Sequence, residues 1–525
     1  MTAMPSRPDG RWCARTWAGR AAWALVGCAA ACDVLWGYVG GLCIANDDLK
    51  FVRMPARELP LTEAMAFAWR NDPSFRPLEV AMAHLSDPVT LACPWVAPVQ
   101  AAGLATLLGG TVALARLALP GLPALWPITA LLVLLSPATT ASLWQMDSCS
   151  QTWSAALGAW SVWMAWRWID GAARRSASWG ILAALCAAVL CGLTIKENFY
   201  GWALGLAAAS IVSVAVLARR HSASVARAAW VLVPVVALPL AHLMCRMRWS
   251  ALAGLLDASG DGSRYQAEFG ANLLLNSAVS LAGAVGMGPF HLVMDSEAHP
   301  ALRALPILAT CALVLVVLLG AVTAALERRA ASGVRWHALL FCALASMLSL
   351  AATIPMPAVS ELYGLGANIG CALLAAGAIA ALWQPGDGAH HRAMRTAISV
   401  SVAASVAIGA YGLASRAEHF RVVWTTVRAL NDAIVLFQAA LPAARASDAG
   451  PAGMVHVPTA CLVGVTHSQY VMPPLQALDL NLTEEWLARR DPSRRIVFSI
   501  GTAPTRPRAN EMVLDCAALP QHGHW

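Results

Sequence analysis

The amino-acid sequence predicts an all-α polytopic membrane protein, a bundle of about eleven transmembrane helices with a small α+β extramembrane segment at the C-terminal end. Three observations carry this. The first is composition: of 525 residues, 58% are hydrophobic and 12% charged, about half the charged fraction of a typical soluble domain. That excludes a water-soluble enzyme as a reading of the whole chain. The second is the recurrence of apolar runs of about 20 residues, each long enough to cross a hydrocarbon core of about 30 Å as a helix. The third is the placement of arginine, which falls in alternate connections between those runs.

The apolar runs place spans at residues 18–45, 91–116, 123–142, 150–169, 179–195, 199–217, 228–246, 302–326, 337–356, 366–384 and 396–415. The first run is longer than the apolar core of a signal peptide and has no small-residue cleavage site, so it is expected to anchor the chain. Arg174 and Arg175, then Arg219, Arg220 and Arg227, then Arg328, Arg329 and Arg335, then Arg392 and Arg395 mark the cytoplasmic connections by the positive-inside rule. Counting the apolar stretch 271–294 as a further span would put one of these basic loops outside. It is therefore expected to lie in the interface or to re-enter the bundle.

The organisation that follows is a cytoplasmic tail over residues 1–17, a transmembrane domain over 18–415 and a periplasmic segment over 416–525. Two long external loops, 46–90 and 247–301, interrupt the membrane domain, and long loops are where function concentrates. The C-terminal segment opens on an amphipathic pattern over 418–440. It continues through strand-like stretches near 454–457 and 495–500. The chain's orientation then predicts a cytoplasmic N-terminus and a periplasmic C-terminus. The excess of alanine and arginine fits a GC-rich bacterial genome, hence a bacterial inner membrane.

The formal charge of +7 does not point to nucleic acid, because the basic residues sit in short clusters between apolar runs. Fourteen cysteines include no CxxC pair and no Cys/His spacing suited to zinc. Most lie inside apolar runs and act as small hydrophobes. Cys461 and Cys516 lie in the polar C-terminal segment, where they could form a disulfide if that segment is periplasmic. The 22 tryptophans are expected mainly in interfacial belts, and Asp33 inside the first span as a packing hydrogen-bonder.

Four polar motifs fall at the predicted external ends of the helices. Asn46-Asp47-Asp48-Leu49-Lys50 puts two carboxylates and an ammonium at the exit of the first span. Neighbouring carboxylates disfavour each other's ionisation, so one could serve as a base while Lys50 compensates the charge; the same residues also suit a solvated helix cap. Ser74-Phe75-Arg76-Pro77-Leu78-Glu79 precedes the second span, and its Arg76 fork suits either a phosphate or a lipid headgroup. Thr194-Ile195-Lys196-Glu197-Asn198 is squeezed between two apolar spans. Lys196 and Glu197 are either functional at that depth or a pair that snorkels to the surface. Only Lys50 and Lys196 are lysine among 36 basic residues, which favours the functional reading, since lysine acts as a compact point charge on phosphate. Ser360-Glu361-Leu362-Tyr363 could bind sugar hydroxyls through Glu361 and Tyr363, or form a simple capped turn. Asp147, His242, Arg246 and Arg248 complete the external polar set.

In this order the motifs resemble those of GT-C-type glycosyltransferases. The pattern is similar to the protein O-mannosyltransferase-like group and to transmembrane mannosyltransferases with tetratricopeptide repeats, whose motifs read acidic pair, YRPL, SKEN and SERY. The resemblance covers about residues 20 to 430. Leu362 stands where that pattern has arginine, and the repeats are absent.

The resemblance implies a GT-C-like bundle that transfers a sugar from a polyprenyl-phosphate carrier to an acceptor glycan, lipid or protein on the periplasmic face, with inversion. It implies Asp47, or secondarily Asp48, as the base. Arg76, Lys196 and Lys50 would bind the donor phosphate, with Glu197, Asn198, Glu361, Tyr363, His242 and Arg246 in support. No cofactor is expected to be required, although some such enzymes use a divalent cation. The alternatives are a transporter or flippase of a lipid-linked sugar, for which charges in mid-span and paired repeats would be expected, and a non-catalytic cell-envelope assembly protein.

Overall fold

The computed structural model describes residues 10–39, 60–71, 76–86, 96–144, 149–196, 198–220, 222–248, 334–355, 361–382, 389–443, 453–458, 480–501 and 504–514, with isolated positions between 270 and 315. These residues are mostly helical. In chain order the helices are α1 (Gly10–Val39), α2 (Leu61–Asn71), α3 (Pro77–Ser86), α4 (Val96–Ala118), α5 (Leu125–Leu134), α6 (Pro137–Trp144), α7 (Cys149–Ala173), α8 (Trp179–Ile195), α9 (Phe199–Arg220), α10 (Ser222–Ala229), α11 (Leu238–Arg248), α12 (Trp336–Met347), α13 (Leu365–Leu382) and α14 (Ala389–Ala440). Among the described residues five stretches, Pro98–Ala118, Phe199–Arg219, Ser224–Cys245, Leu365–Leu382 and Arg395–Ala414, are long and apolar enough to cross a membrane. The expected span 302–326 and the stretch 271–294 lie largely outside the described residues.

Several expected spans are not single straight helices, and each interruption has a local cause. The run 123–142 divides at Ser136-Pro137, where proline removes a donor and the Ser136 hydroxyl accepts from the Ala138 amide at 3.2 Å. The run 228–246 contains a π-helical turn, Val233–Ala237, around Pro234. α12 tightens into a 3-10 segment, Leu348–Ala352, and a second 3-10 turn, Glu361–Gly364, leads into α13. Conversely, α14 runs 52 residues without a break, about 78 Å at 1.5 Å per residue. It joins the expected span 396–415 and the amphipathic stretch 418–440 into one element.

α13 is the central helix. It is apolar all round and nearly every residue in it is buried, the pattern of a helix enclosed on all sides. It packs against α12, α5, α7 and α4. Small residues let the backbones approach: a Cβ at Gly201 or Gly205 of α9 would overlap the carbonyl oxygens of Ser349 and Ala345, a small-xxx-small seam on both partners. Gly201→Ala is expected to destabilise the protein by about 1–3 kcal/mol through overpacking, seen as a lower thermal midpoint in detergent. Gly27→Ala, where the added carbon meets open space, is expected to leave the midpoint unchanged.

Tryptophan does more inside the bundle than the expectation of interfacial belts allowed. The Trp153 and Trp160 indoles of α7 donate to the Val99 and Thr106 carbonyls of α4 at 3.2 and 3.0 Å, and they lie over Gly103 and Gly110. Both pairings repeat at seven residues, so two helical turns return the same contact. Trp168 is fully buried and donates to the Arg227 carbonyl.

The two ends of the bundle differ. At one end lie Arg174 and Arg175 after α7, Arg227 on α10 and Arg335 before α12. These segments are tied together by Arg227 donating to the Ala177 carbonyl at 2.6 Å and the Arg335 amide donating to the Ala118 carbonyl at 2.7 Å. Arg175 takes a left-handed φ of 60° in the turn that closes α7, where Ser176 and Arg175 amides return to the Gly171 and Ala172 carbonyls. The opposite end gathers the end of α8 and the starts of α7, α9 and α13.

Among the described residues the C-terminal unit holds three strands, β1 (Gly453–Pro458), β2 (Ile496–Gly501) and β3 (Glu511–Val513), with α15 (Leu480–Arg490) between β1 and β2. The strand-like stretches near 454–457 and 495–500 are therefore strands. All three are parallel in the order β2-β1-β3, so the unit is of the βαβ kind rather than α+β. A parallel pair needs a crossover, and α15 supplies it. Gln438 of α14 donates to the Leu487 and Arg494 carbonyls at 2.9 and 2.8 Å, seating the unit on the end of that helix. Cys461 and Cys516 lie outside the described residues.

Candidate functional site

Two short segments, 117 residues apart, meet at the end of the bundle away from the arginines. In the first, Arg76 caps α3: its carbonyl accepts the Val80 amide at 3.1 Å. Pro77 begins the helix, where its missing N–H costs nothing and its fixed φ sets the helix direction. Glu79 follows in the first turn, favoured there by the helix dipole. In the second segment α8 ends at Ile195, and Lys196 leaves the helix in an extended conformation, φ −152° and ψ 136°. Its amide donates to the Gly192 carbonyl and its carbonyl accepts the Phe199 amide. The turn between α8 and α9 is thus held at both sides.

Packing of α3 on α8 brings the three charges together. Arg76 Nη1 donates to Glu79 Oε2 at 2.8 Å, and Lys196 Nζ donates to Glu79 Oε1 at 3.0 Å. Arg76, Glu79 and Lys196 are 7, 5 and 7% exposed. Each carboxylate oxygen of Glu79 serves a different cation. Two desolvated cations this close would repel, and the shared carboxylate makes their burial tolerable. The sequence motifs named Arg76 and Lys196 but gave Glu79 no role. Its signal was its position three residues after Arg76 on a helix, a spacing at which side chains meet.

Next to this cluster, Asn198 caps α9 and starts a polar network. Its amide donates to Gln151 Oε1, and its Oδ1 accepts from Ser154 at 3.0 Å. Gln151, Asn198, Trp202, Ser349, Thr353, Tyr363 and Gly366, from five segments, line one narrow niche. Asn198 and Tyr363, expected as supporting residues from distant motifs, therefore share a wall. Asn276, within the stretch 271–294, donates to the Ile354 carbonyl at 2.9 Å, which puts that part of the chain at the same end. His242 lies on α11, buried, with Nδ1 2.7 Å from the Tyr200 hydroxyl.

Asp47, Asp48, Lys50, Asp147 and Glu197 lie outside the described residues. So do the side chains of Glu361 and Arg246, although the 3-10 turn and the helix that carry them are described. Among the described residues the carboxylate that pairs with Lys196 is that of Glu79. No group of three His, Cys, Asp or Glu side chains among the described residues is placed to hold a metal ion. Gln151 and Trp202 were passed over in the sequence: a glutamine near the start of an apolar helix is a signal, whereas a tryptophan among 22 is none. Comparison with protein-family models, with curated proteins and with solved structures finds no match to this chain.

Proposed function

We propose that the chain is a membrane glycosyltransferase that moves a sugar from a polyprenyl-phosphate carrier to an acceptor hydroxyl on the periplasmic face of a bacterial inner membrane. The observation that carries this is the Arg76–Glu79–Lys196 cluster. Two motifs that a GT-C-like enzyme would use for the departing phosphate converge in space, on rigid helix ends, beside a neutral hydroxyl-and-amide niche. The membrane reading, for which about eleven spans are proposed, draws its support from the five long apolar stretches among the described residues and from an outward stripe on α9. There Leu204, Ile211, Val212 and Val216 are 40% exposed or more, while Trp202, Leu206 and Ala209 are buried. The arginines gathered at the opposite end of the bundle support a cytoplasmic face there.

The chemistry is a displacement at the anomeric carbon. Asp47, or Asp48, takes the proton of the acceptor hydroxyl, and the acceptor oxygen forms the new bond. The anomeric C–O bond to phosphate breaks with its electron pair on the phosphate, giving inversion. Arg76 and Lys196 would supply the fixed positive charge that lowers the cost of that developing charge, an effect strongest in a water-poor site.

The test is release of polyprenyl phosphate by the detergent-solubilised chain from a panel of polyprenyl-phosphate sugars with mixed acceptors. Wild type is expected to release it and Asp47→Asn, at equal expression, to lose the release. No release by wild type from any donor overturns the reading and favours transport or assembly.

A further inference from the structure

The niche beside the charged cluster holds two hydrogen-bond donors that the fold leaves unused. Trp202 is 2% exposed, its ring wedged between Gly158 and Gly366, where any added Cβ would overlap it. Its indole N–H makes no hydrogen bond among the described residues, whereas Trp153, Trp160 and Trp168 each donate to a carbonyl. Trp166 and Trp486 also keep an unused indole N–H, but neither lines this niche. Gln151 is 4% exposed. Its Oε1 is taken by Asn198, and its Nε2 amine likewise has no partner among the described residues. Both residues line the niche, so each donor opens onto it and is available to an acceptor that arrives there.

The lining also says which kind of acceptor. Gln151, Asn198, Ser349, Thr353, Tyr363 and Trp202 carry amides, hydroxyls and an indole but no charge. Charge recognition is concentrated two residues before Asn198, at Lys196. An anionic group is better served there, and the niche suits a neutral oxygen. The niche is narrow, with space on the scale of a single water, so it admits one oxygen rather than a whole ring.

We propose that this niche is a recognition subsite for the sugar of a lipid-phosphate sugar, taking one neutral oxygen, a hydroxyl or an acyl oxygen, onto the Gln151 amine and the Trp202 indole N–H. This rests on the reading of the protein as a lipid-phosphate-sugar transferase. The phosphate then lies on the Arg76–Lys196 side and the sugar on the Asn198 side of the same turn. Trp202 and Gln151 are specificity determinants in this arrangement, because an analogue without the matching oxygen leaves both donors without the bond the cognate sugar makes.

The test uses the full chain in nanodiscs with three probes: polyprenyl phosphate, a polyprenyl-phosphate hexose and a polyprenyl-phosphate N-acetylhexosamine. Trp202→Phe keeps an aromatic ring between the two glycines and deletes the N–H. Gln151→Leu deletes the amine in similar volume. Wild type is expected to bind at least one sugar-bearing probe more tightly than bare polyprenyl phosphate. Each variant is expected to weaken that probe by about five- to tenfold, one neutral hydrogen bond, and to leave polyprenyl phosphate unchanged. Tighter binding of the N-acetylhexosamine marks an acyl oxygen, and equal or better binding of the hexose marks a hydroxyl. If wild type binds bare polyprenyl phosphate but the variants keep its preference for sugar, or weaken both kinds of probe equally, the niche assignment falls alone. If wild type binds none of the probes, the lipid-phosphate reading falls and takes the niche with it.

Discussion

Lys196→Met is expected to lower turnover by on the order of 10²- to 10³-fold, the loss typical of removing one fixed donor aimed at developing charge, while leaving the protein folded. The two halves of this expectation come from the same geometry. Methionine keeps the unbranched apolar stem that fills the space at the end of α8. Glu79 retains Arg76 at 2.8 Å, so its carboxylate is not stranded. What disappears is the ammonium 3.0 Å from Glu79, the charge proposed to meet a leaving phosphate. Single-turnover release of polyprenyl phosphate, measured beside the thermal midpoint of the same preparation, checks both halves. A midpoint that falls together with turnover would make Lys196 a structural residue and remove it from the chemistry.

Glu79→Leu is expected to behave in the opposite way, through stability first. It removes the carboxylate that Arg76 and Lys196 share, at a place where each is 7% exposed. Breaking a buried ion pair by removing one partner costs about 3–5 kcal/mol, a large part of a typical domain's stability. The double variant Glu79→Leu with Lys196→Met removes one of the two cations that Glu79 serves. It is expected to regain much of the midpoint and none of the turnover. Restored stability with activity still absent assigns Glu79 the role of holding the cations in place. A single variant as stable as wild type would mean that the cluster is solvated, contrary to its burial.

The legible part of this site was the part written in short segments. Pro77 after Arg76 announces a helix start, and the turn Lys196-Glu197-Asn198 between two apolar runs announces a helix end, because these are local backbone effects. The partner of those residues was harder to read. Glu79 lies three residues from Arg76, but that it also reaches Lys196 depends on α3 lying across α8, and nothing in either segment encodes that crossing. Gln151 and Trp202 were harder still, since the niche they line needs five segments to converge. The interruptions at Ser136-Pro137 and at Val233–Ala237 were partly visible as prolines inside apolar runs, yet the runs around them satisfied the length of a span and were read as continuous.

By itself the sequence determined that the chain is mostly helical and apolar, that its arginines fall in alternate connections between apolar runs, and that two strands follow the last long helix. These follow from composition and from periods of a few residues, which depend only on neighbouring backbone geometry. Only the tertiary structure decided that Glu79 bridges two motifs, that indoles stitch α7 to α4 over glycines, and that the C-terminal strands pair in parallel. Each of those depends on the distance between positions far apart in the chain, and that distance is set by how the helices pack.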